Sequence, residues 1–205
     1  MKYDGLVTSA QIEAVLDKLG GVEGVKRFLG EMPTVSEPSR LWSEKGGVIS
    51  FAVVSDGTTG EEWIQRLEGK GDRVSDYAKS VLRSKDFQPT TGVTTEVRIL
   101  KGEIFTDDGR ITNKIRVEAA GRELVKPNAE VGCLVRYMFS DPDIEAMGLW
   151  WIVVMHDSIE DSGCHPLLLT AARGDAGRWL CTFNGHPGFK WGRCRGFAFV
   201  LPQGS

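Results

Sequence analysis

The longest unbroken apolar run, Leu149–Met155 (LWWIVVM), is the feature that most restricts how this chain can fold. It is far short of the ~20 apolar residues that span a bilayer, so no membrane role is expected. Its β-branched and aromatic residues predict a strand over 149–156. Residues 48–54 (VISFAVV) are also continuously apolar and β-branched, which predicts a second buried strand. Such strands need a large core around them. A chain of 205 residues, 41% hydrophobic and 26% charged, can build one and is too apolar to be disordered.

The amino-terminal third carries helical signals instead. Thr8 and Gln11 have the spacing of a capping box, and Ile12, Val15, Leu16 and Leu19 follow at a period of 3.6. Gly20 and Gly21 end that helix, and Val22, Val25, Phe28 and Leu29 predict a second one. A polar stretch with Pro33, Ser36, Pro38 and Ser39 then predicts a linker. Thr59 and Glu62 repeat the capping box before Trp63, Ile64 and Leu67; Val74, Tyr77, Ala78, Val81 and Leu82 form the next apolar stripe. Residues 93–100 predict a strand, and Ile111, Ile115 and Ala119 a helix ending at Gly121.

From residue 131 the pattern becomes one of apolar runs between turn residues. Five strands are predicted, at 131–139, 149–156, 166–172, 178–183 and 195–201. The short connections favour an antiparallel meander, since parallel neighbours need long crossovers. In 178–183, Trp179, Cys181 and Phe183 alternate with Arg178, Leu180 and Thr182, which predicts that the first set faces the core. The expected class is α+β: short amino-terminal helices with one or two strands, then a carboxy-terminal antiparallel five-stranded sheet or partly closed barrel. The expected organisation is a helical segment over 1–32 and an α+β domain over 46–203, its sheet within 131–201. Most glycines fall at breaks between short elements, as punctuation.

Several blocks, among them EEWIQRLEGKGDRVSDYAKSVLRSKDF (61–87), GRELVKPNAEVGCLVRYMF and WWIVVMHDSIEDSG, resemble a family of uncharacterised bacterial proteins. The resemblance implies one intact bacterial protein and carries no activity, cofactor or catalytic residue with it. The opening MKYDGLVTSAQ has no apolar signal core, and the four cysteines have no disulfide-framework spacing, so a reduced cytoplasmic protein is expected.

Three constellations bear on function. Residues 156–194 hold all three histidines (His156, His165, His186) and three of the four cysteines (Cys164, Cys181, Cys194). Cys164, His165, His186 and Cys194 are a conceivable zinc set, but no Cys-x-x-Cys or His-x-x-x-His pair supports it, and no cofactor is expected. A cysteine nucleophile activated by histidine, with Asp157 or Asp161 orienting the ring, has the residue types but no motif; His156 is expected at the surface. No glycine-rich phosphate loop is present. Asp141, Asp143, Asp157, Glu160 and Asp161 lack a calcium-loop spacing.

The third constellation is basic and aromatic. Arg173, Arg178, Lys190, Arg193 and Arg195 stand against the single acid Asp175, interleaved with Trp179, Phe183, Phe189 and Trp191. Such residues neutralise phosphates and stack on unpaired bases, although a net charge of -3 disfavours a dedicated nucleic-acid binder. Phe189 and Trp191 lie in the turn-rich loop NGHPGFKWGR, where rings are often exposed. The expectation is a non-enzymatic binding module contacting a protein or single-stranded nucleic acid through Arg173, Arg178, Phe189, Lys190, Trp191, Arg193 and Arg195. A small enzyme or zinc protein built on the Cys/His group of 156–194 is the alternative.

Overall fold

The computed structural model describes residues 8–31, 40–174 and 177–202. The chain divides into two compact units, Met1–Leu41 and Trp42–Ser205. The first contains helices α1 (Ser9–Lys18) and α2 (Gly21–Glu31). The expected capping box forms: the Thr8 hydroxyl accepts from the Gln11 amide, and the Gln11 side chain takes the Thr8 amide in return. The linker expected over 33–39 lies outside the described residues.

The second unit is one open sheet covered by helices. It contains β1 (Ser43–Lys45), β2 (Val48–Asp56), α3 (Gly60–Gly69), β3 (Arg73–Val74), α4 (Asp76–Leu82), β4 (Thr91–Lys101) and α5 (Thr112–Gly121). There follow α6 (Glu130–Met138), α7 (Asp141–Ala146), β5 (Trp151–Val154), β6 (Ile159–Glu160), β7 (Pro166–Ala172), β8 (Trp179–Asn184) and β9 (Arg195–Val200). The strand order is β1-β2-β4-β9-β5-β7-β8-β3, with β6 paired to β7. β5 runs parallel to β9, and β3 parallel to β8; the other pairs are antiparallel. The α+β class therefore holds, but the expected five-stranded antiparallel meander, or barrel, is replaced by a nine-stranded mixed sheet that does not close. β9 is inserted between β4 and β5, so the early and late strands belong to one sheet.

Both faces of the central strands β5, β7 and β9 are buried, which explains their apolar runs. In β5, Ile152 and Val154 enter one core cluster with Val131, Val135 and Phe139 of the α6 region. Val153 and the following Met155 enter another with Ile115 and Ala119 of α5. β9 divides in the same way, Ala198 and Val200 to the first, Phe197 and Phe199 to the second. A strand with helices on both sides has no polar face to alternate with.

The run 131–139, expected as a strand, is α6. It lies between two clusters: Val131, Val135 and Phe139 face one, while Ala129 and Cys133 face another that includes Trp63 and Leu67 of α3. A helix buried on two sides is apolar nearly all round, and then periodicity no longer separates it from a strand. The segment 140–148, expected as a loop, contains α7, opened by a Ser140–Asp143 capping box with Pro142 in the first turn. Two glycines are not punctuation. A Cβ on Gly60, at the start of α3, would lie 1.8 Å from the Leu82 carbonyl oxygen, and one on Gly196 in β9 would lie 2.6 Å from the Ile99 side chain. Among the described residues no helix is long and apolar enough to cross a membrane.

Candidate functional site

The basic residues of 173–195 are largely engaged inside the fold. Arg178 Nε lies 2.7 Å from the buried carboxylate of Asp72, and its Nη2 donates to the Arg136 carbonyl at 3.1 Å. Arg173 pairs with Glu145 at 3.0 Å, donates to the Leu149 carbonyl and stacks 4.9 Å above Trp150. Arg195 lies 3.5 Å over the Trp151 ring, and burial lowers its pKa. Lys190 meets Asp108 at 3.3 Å on the surface, and Arg193 is exposed. Of the basic residues expected at a contact surface, Arg173, Arg178 and Arg195 are engaged within the fold, and Lys190 and Arg193 lie at the surface.

The two tryptophans also exchange roles. Trp191, expected on the contact surface, is 4% exposed; its indole N–H donates to Thr112 Oγ1 at 2.9 Å and its ring packs against Phe189 and Phe197. Trp179, expected in the core, is half-buried beneath the Arg73 guanidinium, while Leu180 is the fully buried residue of β8. The reason lies at the start of α5, which has no side-chain cap. Its first-turn amides are satisfied by the loop instead: Thr112 donates to the Phe189 carbonyl at 3.1 Å and Asn113 to that of Pro187 at 2.9 Å. That attachment carries Trp191 onto the sheet.

The Cys/His group does not converge. Cys164 and Cys194 are exposed, Cys181 is half-buried with burial pushing its thiol up to about 11, and all four cysteines are free. His186 closes its own turn, its Nδ1 accepting from the Gly188 amide at 3.1 Å. No three His, Cys, Asp or Glu side chains among the described residues are placed to share a metal ion.

His156, expected at the surface, is 1% exposed. Its Nε2 accepts from the Leu169 amide at 2.9 Å, so the hydrogen-bond network assigns the proton to Nδ1, 2.6 Å from the Asp157 carbonyl. Burial lowers its pKa from 6.5 to about 4. The unfolded chain therefore binds the extra proton first as pH falls, and stability is lost between those two values. From pH 7 to pH 4 that loss should be roughly 3 kcal/mol. Urea unfolding of wild type and His156→Gln across this range checks it: the wild type should show the steeper decline, and parallel curves would refute the assignment.

What the structure does assemble is a cleft of about 430 Å³ beside β8. Tyr77 of α4, Phe183 of β8 and Phe189 of the following loop supply its rings; Thr182, Asn184 and the turn residues Asp161 and His165 supply polar groups. Asp161 organises that turn, accepting from the Gly163 amide at 2.8 Å and the His165 amide at 2.9 Å, with the His165 Nδ1 at 3.1 Å. These bonds, the His165 amide foremost, hold its carboxyl below the usual range. His165 is thereby oriented with its ring 74% exposed. Cys164, beside it, adopts a left-handed backbone, φ 59°.

The backbone of β8 adds to this site. Gly185 donates to Pro166 on the β7 side, and Leu180 accepts from Ser75 on the other. By alternation, the amides and carbonyls of Thr182 and Asn184 point away from β7, beyond the two-residue reach of β3. Phe189 and His165 were legible as candidates. Tyr77 was not, because it sits at the edge of an otherwise buried stripe and is 61% exposed.

Comparison of the chain with protein-family models, with curated proteins and with solved structures finds no match. The fold and the site thus define a class only: an α+β protein with a helix-covered mixed sheet and an aromatic cleft at one edge.

Proposed function

We propose that this protein is a non-enzymatic binding module, and that its contact site is the cleft between α4, the β6–β7 turn and the loop after β8. Its partner is a protein that presents a ring-bearing side chain. The observation that carries the reading is the convergence of Tyr77, Phe183 and Phe189 from three separate elements on one open cleft. Aromatic walls with a few hydrogen-bonding groups at the rim, Thr182, Asn184 and the Asp161–His165 pair among them, suit a ring with polar edges. Single-stranded nucleic acid is disfavoured because Arg173, Arg178 and Arg195 are bound within the fold, and backbone tracking needs free cations.

The enzymatic alternative rests on one observation, the Asp161 carboxylate that orients His165. Covalent catalysis also needs a nucleophile linked to that ring, and no thiol or hydroxyl hydrogen bond to His165 is present among the described residues. Four free cysteines suit a reducing compartment, so cytoplasmic location is part of the proposal.

An NMR titration of labelled protein with N-acetyl-tyrosinamide, and separately with a single-stranded oligonucleotide at low salt, tests the reading. Shifts should centre on Tyr77, Thr182 and Phe189 with the ring compound, and Phe189→Ala should abolish them. Shifts centred on Lys190 and Arg193 with the oligonucleotide alone would overturn it.

A further inference from the structure

A second feature lies at the opposite end of the sheet. β1 covers only Val48–Ser50 of β2, leaving the remainder of that edge without a neighbouring strand among the described residues. The Lys101 amide donates to the Gly47 carbonyl, which sets Gly47, Ile49, Phe51 and Val53 to bond with β4. The amides and carbonyls of Ala52 and Val54 therefore point outward. Proteins usually blunt such edges with lysine, proline or a covering element. Here Val54 stands on it with 59% of its surface exposed.

Beside the edge is a cavity of about 490 Å³, with Trp63, Arg66 and Lys70 on the α3 side and Leu134, Tyr137 and Met138 from α6. Its charge is unbalanced. Arg66 pairs with Asp56 at 2.5 Å, but Lys70 forms no ion pair among the described residues and donates to the Tyr137 carbonyl at 2.5 Å. Both cations lie on the Tyr137 ring, at 4.3 and 4.0 Å. Trp63, wholly buried in the same wall, leaves its indole N–H without an acceptor. The groove thus offers outward backbone groups, apolar side chains at strand spacing and an excess positive charge.

We propose that this groove receives an extended acidic segment of a partner protein, which adds as a strand to Ala52–Val54 and places a carboxylate on Lys70. Main-chain bonds would hold the segment, the apolar lining would take alternate side chains, and the lysine would select for the acid. This site is separate from the cleft at Phe189, so the two readings stand or fall independently.

The probe is an acetylated, amidated pentapeptide of alternating threonine and valine with a central glutamate, titrated against labelled full chain beside its glutamine counterpart. The glutamate peptide should shift residues 50–56 and 63–70 and bind about three- to fivefold tighter than the glutamine peptide, the range of a partly exposed ion pair. Lys70→Ala should remove that difference. Ala52→Pro deletes one outward amide while leaving the β4 ladder intact, and should weaken both peptides at least about tenfold. Its fold is checked by retained amide shifts in β4 and β9. Equal affinity for the two peptides, absence of shifts on β2 at millimolar peptide, or a self-associated chain dissociated by Ala52→Pro would each overturn the proposal.

Discussion

Asp72→Ala should destabilise the protein by about 3–5 kcal/mol, read as a lower midpoint in urea with an unchanged slope. The side chains of Asp72 and Arg136 are both fully buried, and Arg178 is 24% exposed. Arg136 Nε lies 3.5 Å from the Asp72 carboxylate, and Nη1 reaches Asp141 at 3.0 Å and the Ala172 carbonyl at 3.2 Å. The same guanidinium donates to the Phe139 carbonyl. Burial is the largest influence on Asp72 and raises its pKa against the pull of Arg178 and Arg136. Burial likewise lowers that of Arg136, with Arg178 adding to the effect. Removing Asp72 leaves two guanidinium groups facing one another with little water to separate them.

The contacts around Asp72 are close but poorly aligned, since neither of its oxygens receives a hydrogen bond of good geometry. The cluster should accordingly be costly to break and of small net benefit when whole. Asp72→Ala combined with Arg136→Met should recover a large part of the single-variant loss, and a double-mutant cycle measures the coupling. A loss below about 1 kcal/mol for Asp72→Ala would mean that the cluster is hydrated.

Trp191→Ala is the second large effect, again about 3–5 kcal/mol, whereas Trp179→Ala should cost about 1 kcal/mol. Trp191 fills the space between Phe189 and Phe197, with ring centroids 4.7 and 5.8 Å away, and its N–H satisfies Thr112 at the start of α5. Deleting the ring opens a cavity over the sheet and detaches the loop that caps the helix. Trp179 gives up only a half-buried stack under Arg73. Thermal unfolding of both variants decides the order, and equal losses would place Trp179 in the core after all.

The elements legible in sequence are those whose determinants are local. The Thr8–Gln11 and Thr59–Glu62 boxes close within one turn, so spacing alone locates α1 and α3. Ser140–Asp143 obeys the same rule, but its Asp-Pro-Asp also suits a turn. The segment that forms α6 reads as a strand in sequence because Val131, Cys133 and Val135 satisfy a period of two as readily as the helical pairs Val131–Val135 and Cys133–Tyr137. Only the presence of core on two sides of that segment separates the readings. The cleft was half legible: Phe189 and His165 belong to segments marked by composition, whereas Tyr77 approaches through the placement of α4 against β8.

The amino-acid sequence by itself determined that the apolar run after Leu149 would form a strand with Ile152–Met155 in the core, that capped helices would begin at Ser9 and Gly60, and that rings and cations would crowd residues 173–195. Each follows from side-chain chemistry acting over a few neighbours. The tertiary structure alone decided that β9 would lie between β4 and β5, that Arg178 would face Asp72, and that Trp191 would be core. Those outcomes depend on which distant segments meet, because burying a ring or pairing a guanidinium requires partners from elsewhere in the chain.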